Sequence, residues 1–281
     1  MYSTGLDFGS GEIAKFISSK IVQRECKQYA RNGKSTSNVC KCGREVQWHT
    51  DKSLECNPDT DHDDWKPKTH TKTMNCDSFG EIFFRGVGHG TRNSPYVRLA
   101  SDTDLDDVWK ILTNSWHLPI PKLLISVTGG AKYFEMKPRL KDMLKQGLCH
   151  AATSTGAWII TGGTGTGIMQ IVGEAIHEYT MAHDVQDQKL VALGIATWGI
   201  ISNRSALVGK GDKGLFPATY AIKDVQADTR EAPLDHNHTH FILVDNGTEN
   251  IYGGEIEFRT ALESYISTGV TGVAQNQSKS D

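Results

Sequence analysis

The sequence predicts an α/β fold: a doubly wound, mostly parallel sheet with helices on both faces, preceded by an irregular N-terminal lead-in. Three observations carry this. The run LLISV at 123–127 is short, apolar and rich in branched residues, and it closes on TGG at 128–130. A second apolar run, Ala157–Ile160, leads into the glycine-rich stretch TGGTGTG at 161–167. After it Ile168, Ile171, Val172, Ala175, Ile176 and Tyr179 fall at helical spacing. Two consecutive strand-to-helix units of this kind imply right-handed parallel crossovers.

Taken in order, residues 1–60 are polar, with one short helical pattern at Ile13–Ile21. Glu81–Phe84 and Tyr96–Leu99 are strand candidates that add to one edge of the sheet. Asp104–Trp116 places Val108, Ile111, Leu112 and Trp116 on one helical side, and Pro119 and Pro121 end it. Between the two glycine turns, Leu140, Met143, Leu144 and Leu148 share a helical stripe. Lys189–Ala196 is a third buried strand, ending at Thr197-Trp198-Gly199. The excursion Ser202–His238 has little periodicity and reads as a long functional loop, with Phe216–Tyr220 packing across the sheet end. Thr239–Val244 is a fourth strand. The helix Gly254–Ile266 turns Phe258, Leu262, Tyr265 and Ile266 to the sheet. The organisation is therefore a lead-in over 1–60, one domain over 61–268 and a disordered polar tail over 269–281.

Composition narrows the function classes. With 281 residues, 38% hydrophobic and 22% charged, the chain can bury one sizeable core. A net charge of -3 gives no general pull toward nucleic acid. No apolar run approaches the roughly 20 residues of a membrane helix, and the N-terminus does not read as a signal peptide. Six unevenly spread cysteines fit a reducing compartment better than a disulfide framework. Cys26, Cys40, Cys42 and Cys56, with His49, raise the question of zinc. Cys40 and Cys42 leave a single residue between them, short of the usual spacing, so reduced thiols in an irregular segment are expected and no metal site is assigned.

Three loops follow strand ends: Thr128–Ala131, Thr161–Gly167 and Asp245–Gly254. They offer small hydroxyls and backbone amides, with Tyr252 and Arg259 close behind. A nucleoside diphosphate calls for such groups: amides and hydroxyls for phosphate oxygens, a guanidinium for their charge, a ring for the base. The competing reading makes the glycines simple turns, Tyr252 a core ring and Arg259 a solvated helix charge. The GxGxG run matches neither the dinucleotide fingerprint nor a P-loop. No catalytic triad order or nucleophile elbow appears. His236, His238 and His240 alternate across a loop-to-strand boundary and are expected at the surface or in a turn. Glu255 and Glu257 keep open a hydrolase that cleaves an N-glycosidic bond.

Longer strings carry a specific resemblance. LLISVTGGAKYFEMKPRLK, TGAWIITGGTGTGIMQIVGEAI, GIATWG, FPATY, HTHFILVDNGT and YGGEIEFRTALESYIS occur in this order. With TKTMNCDSFGEIFFRG at 71–86 upstream, they resemble the cytosolic N-terminal melastatin homology region of TRPM cation channels, over about residues 40–268. The wording is most similar to the ADP-ribose-activated, calcium-permeable branch. That resemblance implies a Rossmann-like fold, a non-catalytic sensor with ADP-ribose as regulatory ligand, and a place on the cytosolic side of the plasma membrane within a tetrameric channel. It implies contacts from Thr128, Gly129, Gly130 and Ala131, from Thr166, Gly167 and Met169, and from Tyr252 and Arg259. No catalytic residue and no further cofactor are implied. A further family arginine lies beyond the last helix, past the end of this sequence. Hydrolase relatives carry a PGGxGT string where this sequence has DNGTE at 245–249, which argues against catalysis. A pure assembly module, with structural glycine loops, is the remaining alternative.

Overall fold

The computed structural model describes residues 10–27, 29–30, 39–49, 66–85, 93–130, 135–183, 190–209, 216–222 and 230–270. Among the described residues nine strands form two sheets. β1 (Val22–Cys26) pairs antiparallel with β2 (Thr71–Asn75). The main sheet joins β3 (Phe79–Arg85), β4 (Ser94–Ala100), β5 (Leu124–Ser126), β6 (Trp158–Thr161), β7 (Val191–Thr197), β8 (Phe216–Ala221) and β9 (His240–Asp245), in the order β5-β6-β7-β9-β4-β3-β8. Within this sheet every pairing is parallel except β3 with β4. The carboxyl ends of β5, β6, β7, β9 and β4 therefore lie along one edge, the edge where open α/β sheets bind ligands.

The central strands are short runs buried on both faces, as parallel strands covered by helices must be. All seven positions of β7 are buried, and so are all four of β6. Two glycine-led crossovers supply the covering helices, α3 (Pro138–Thr155) and α4 (Gly167–Ala182). α3 begins with proline at its first position and ends on Gly156 in the left-handed region at φ 66°. The last helix, α5 (Ile256–Tyr265), buries Phe258 and Leu262. α2 (Leu105–Lys110) is capped by the Asp104 side chain and passes into a π-helical turn, Ile111–Ser115.

Four expectations need correction. The lead-in is not irregular throughout: α1 (Ser10–Lys20) and β1 occupy it, and Ala14, Ile17 and Ile21 join the same core as Leu99, Leu193 and Val244. α1 covers the helical pattern at Ile13–Ile21, whereas β1 carries no such local signal and is defined by its pairing with β2. Phe216–Tyr220 does not cross the sheet end; it forms β8, the edge strand beside β3. The stripe Leu140, Met143 and Leu144 on α3 is exposed, whereas Lys145, Cys149 and Ala152 face inward. Lys145 reaches the inner face because Glu178 and Glu174 on α4 neutralise it, at 2.5 and 3.7 Å. His238 closes the turn from Asp235, its amide donating to Asp235 O at 3.3 Å, but it is not at the surface. It is buried, with Nε2 2.7 Å from Thr161 Oγ1 and Nδ1 3.2 Å from Asp235 Oδ1. The polar tail lies outside the described residues.

Candidate functional site

A cleft of about 500 Å³ opens at the carboxyl edge, between the ends of β5, β6 and β7 and the segment leading into α5. Its walls come from the three glycine-bearing loops and the end of β7. Val127, Thr128 and Gly129 follow β5; Gly162 and Thr164 follow β6; Thr197 and Ile200 close β7. Met169, from the first turn of α4, forms the floor, and Tyr252, Glu255, Arg259 and Glu263 form the far side. Of the expected residues, Thr128, Gly129, Met169, Tyr252 and Arg259 line this space. Gly130 follows Gly129 as an exposed loop residue. Thr166 sits beside the lining through Thr164, their hydroxyls 3.1 Å apart, and Gly167 opens α4. Ala131 lies outside the described residues.

The second loop takes its shape from Gly163, which sits at φ 66° with its α-carbon side against Gly194 of β7. A Cβ there would lie 2.7 Å from Gly194 Cα, so the backbone, not a side chain, fills this contact. The Thr161 hydroxyl accepts from the Gly163 amide at 2.8 Å and fixes the turn. Thr166 is the N-cap of α4 in extended conformation, yet its side chain makes no capping bond. The first turn of α4, which lends Met169 to the cleft, therefore begins with its amides free of a side-chain cap.

Arg259 is the described cationic group in the lining. Its Nη2 donates to Ile160 O at 3.0 Å, Val127 O at 3.2 Å and Ser126 Oγ at 2.8 Å, and its Nε donates to Glu263 Oε1 at 2.8 Å. The guanidinium thus bridges the ends of β5 and β6. Among the described residues its Nη1 makes no bond, which leaves that edge for an anion. Tyr252 stands at the rim, 48% exposed, so a planar ligand can reach its face. Glu255 accepts from the Thr197 hydroxyl. Glu257 points to solvent and takes no part in the lining.

Sequence reasoning passed over Thr197 and Glu263. Thr197 is the last residue of a buried parallel strand, the position from which ligand contacts arise in such sheets. Glu263 stands four residues after Arg259 on one helix face, the spacing at which opposite charges meet. The three histidines do not converge: His240 opens β9 against Trp116, His236 packs on Phe84, and His238 lies beneath the second loop.

The third loop is held from behind. Asp245, 2% exposed, accepts from Arg98 Nε at 2.8 Å and Nη2 at 2.6 Å, and from the Gly247 amide at 2.8 Å. Arg98 in turn lies over the Trp198 ring, 4.2 Å from its centroid, in the turn after β7. The lead-in also contributes here. Cys26, Cys40, Cys42 and His49 bring their ligand atoms within 4.8 Å of one another, which corrects the expectation of separate thiols; Cys56 lies outside the described residues.

Comparison with known proteins gives a consistent result. Over residues 94–279 the chain matches the family described as SLOG in TRPM. It is 41% identical over 259 residues to transient receptor potential cation channel subfamily M member 2 of Rattus norvegicus, covering 91% of this chain and 17% of that protein. It is 41% identical over 263 residues to the subfamily M member-like 2 protein of Nematostella vectensis, covering 92% of this chain and 16% of that protein. Subfamily M member 1 of Mus musculus is 34% identical over 262 residues, with 90% and 16% covered. The chain thus spans about a sixth of the length of these relatives, and among the described residues no helix is long and apolar enough to cross a membrane. The mostly parallel sheet, its glycine-lined carboxyl edge and the family match agree: the chain belongs to the SLOG domains of TRPM.

Proposed function

We propose that this domain is the ligand-sensing part of a calcium-permeable cation channel, on its cytosolic side, and that it takes ADP-ribose or a related nucleoside diphosphate as regulatory ligand. The observation that supports this most is the convergence of the Arg259 guanidinium edge, the uncapped start of α4 and the Tyr252 ring on one cleft of about 500 Å³. The diphosphate would lie between Arg259 and the first turn of α4, where backbone amides and the helix dipole favour negative charge. Tyr252 would stack on the base. Glu255 and Glu263 would repel phosphate, so they fit the ribose hydroxyls, which donate to carboxylates. The ligand is then oriented by charge: anionic centre toward Arg259, diols toward the two glutamates.

Binding would influence a channel only by favouring one of its arrangements over another. The cleft is walled by loops of separate strands, so drawing them together around a diphosphate is a physical source of that difference. The remainder of the channel and neighbouring subunits are the partners that would read it.

Calorimetric titration with ADP-ribose, using AMP and NAD as comparators, tests the reading. Saturable binding selective for ADP-ribose and weakened in Arg259→Ala supports the sensor. Release of free base or ribose phosphate during incubation, abolished in Glu255→Gln, would replace it with a hydrolase. No binding to a folded chain, together with self-association, would replace it with an assembly module.

A further inference from the structure

We propose that Cys26, Cys40, Cys42 and His49 hold a structural zinc ion, and that this ion fixes the platform on which the third loop of the cleft rests. The two ligand sources are far apart in the chain. Cys26 ends β1, while Cys40, Cys42 and His49 belong to a compact turn over 39–49. That turn is a knuckle: Val39 and Glu45 form an antiparallel bridge, Cys40 N–H donates to Arg44 O at 2.8 Å, and Gly43 N–H donates to Cys40 O at 2.9 Å. Gly43 adopts φ 93°, and the tight reversal turns Cys40 and Cys42 to one side despite their short spacing. The usual two-residue gap is unnecessary here because the third sulfur arrives from another strand.

The chemistry of the cluster selects a metal over simple packing. Cys40 and Cys42 are 0% exposed and Cys26 is 6% exposed, and His49 is buried with them. His49 Nδ1 lies 3.0 Å from Glu45 O, and its Nε2 lies 3.4 Å from Cys42 Sγ. A carbonyl partner makes Nδ1 the protonated nitrogen and leaves the Nε2 lone pair aimed at the sulfurs, the arrangement that orients a metal-bound imidazole. The Ala30 amide donates to Cys40 Sγ at 3.4 Å, a contact that stabilises thiolate. A tetrahedral zinc, with Zn–S about 2.3 Å and Zn–N about 2.0 Å, sets edges of roughly 3.5–3.8 Å. The four atoms, all within 4.8 Å, need draw in by about 1 Å at most. Three sulfurs and one imidazole in a closed, buried tetrahedron are a structural zinc set. None of the described cysteines is in a disulfide.

The knuckle reaches the cleft through Glu249. Its amide donates to Cys42 O at 2.6 Å, and its carboxylate pairs with Arg44 at 2.6 Å and Arg204 at 2.8 Å. A Cβ on Gly43 would lie 1.9 Å from Glu249 O, so the turn and the third loop are in backbone contact. The ion would therefore stabilise a segment three residues before Tyr252.

The test is metal analysis of the purified chain, prepared under reducing conditions with zinc available and then dialysed. We expect one zinc per chain and an X-ray absorption shell of three sulfurs at about 2.3 Å and one nitrogen at about 2.0 Å. Cys42→Ser should lose the metal, and His49→Cys should retain it with an all-sulfur shell. Because Cys42→Ser can fail to fold, the unmutated chain is also stripped with a chelator and reloaded with cobalt. Visible bands of tetrahedral cobalt with thiolate charge transfer are expected, and zinc should abolish them. A folded chain holding less than about a tenth of an equivalent of zinc, a bound ion whose shell lacks sulfur, or a disulfide among these cysteines would each overturn the proposal.

Discussion

Replacing Arg98 by methionine probes the ion pair behind the third loop; it also releases Asp77, 3.3 Å from Nη1, but that carboxylate is 41% exposed and stays solvated. Methionine keeps a long apolar stem that can still lie on Trp198, so the substitution removes charge and hydrogen bonds with little loss of volume. Arg98 and Asp245 side chains are 8% and 2% exposed, and Oδ2 of Asp245 receives both Nε and Nη2. Once the guanidinium is gone, the carboxylate retains the Gly247 amide at 2.8 Å and the Arg24 amide at 3.3 Å, with no buried counter-charge bonded to it among the described residues. Stranding one partner of a buried pair costs about 3–5 kcal/mol. Against a total of about 5–15 kcal/mol for a domain, the variant should fold but lie close to its threshold. Urea denaturation followed by tryptophan fluorescence reads the loss directly. Adding Asp245→Asn in the same chain removes the stranded charge and should recover about 1–3 kcal/mol. A loss below about 1 kcal/mol with an unchanged urea dependence would refute the reasoning, because the carboxylate would then have to be solvated or paired elsewhere.

Three further outcomes follow from the same geometry. Arg259→Ala should weaken ADP-ribose binding by about 1.5–3 kcal/mol, roughly ten- to a hundredfold by calorimetry, since a charge-assisted contact is lost; unchanged affinity in a folded variant would remove Arg259 from the site. Tyr252→Ala should cost about 1–3 kcal/mol of binding and Tyr252→Phe almost nothing if the ring stacks on the base. A loss in the phenylalanine variant would assign the contact to the hydroxyl. His236, packed against Phe84, has its pKa lowered from the ordinary 6.5 by burial. The unfolded chain takes up that proton first, so the stability it confers is present above about pH 6.5 and lost as pH falls below it. His236→Gln should flatten the slope of melting temperature against pH between about 7 and 5, and an unaltered slope would exclude this histidine as its source.

The parallel sheet was legible because its signals are local. Buried runs such as Trp158–Thr161 and Val191–Thr197 stand between glycine turns and helical stripes, and direction follows from the crossovers. Part of the cleft lining was legible for the same reason: the first strand end locates Thr128 and the last helix locates Arg259, whereas Thr164 was not among the expected contacts. What periodicity could not show was pairing between distant segments. β8 carries a proline and an exposed-buried alternation that a coil also shows, and its place beside β3 is fixed by Ala218 and Tyr220 reaching the core with Phe84. The inward turn of Lys145 depends on two glutamates on another helix. The cysteine cluster depends on β1 crossing a turn that begins thirteen residues later, a contact no spacing rule within 39–49 contains.

These long-range contacts share one destination. Asp245, Gly247 and Glu249 are successive alternate residues of the third loop, and each is held by an element upstream of β5. Arg98 of β4 and the Arg24 amide of β1 hold Asp245. Thr71 of β2 packs under Gly247, where a Cβ would lie 2.4 Å from Thr71 Cγ2. Cys42 and Arg44 hold Glu249. The first two loops also lean on distant segments: Thr164 bridges Leu234, the Gly165 amide donates to Pro233 O at 2.8 Å, and Arg259 of the last helix donates to Val127 O at 3.2 Å. The third loop rests on both the β1–β2 layer and the main sheet's own turns, where the Asn250 amide donates to Gly199 O at 3.0 Å and Arg204 pairs with Glu249 at 2.8 Å. The β1–β2 layer and its knuckle are thus one of the supports that position the third loop, and with it Tyr252, across the cleft from Thr128 and Met169.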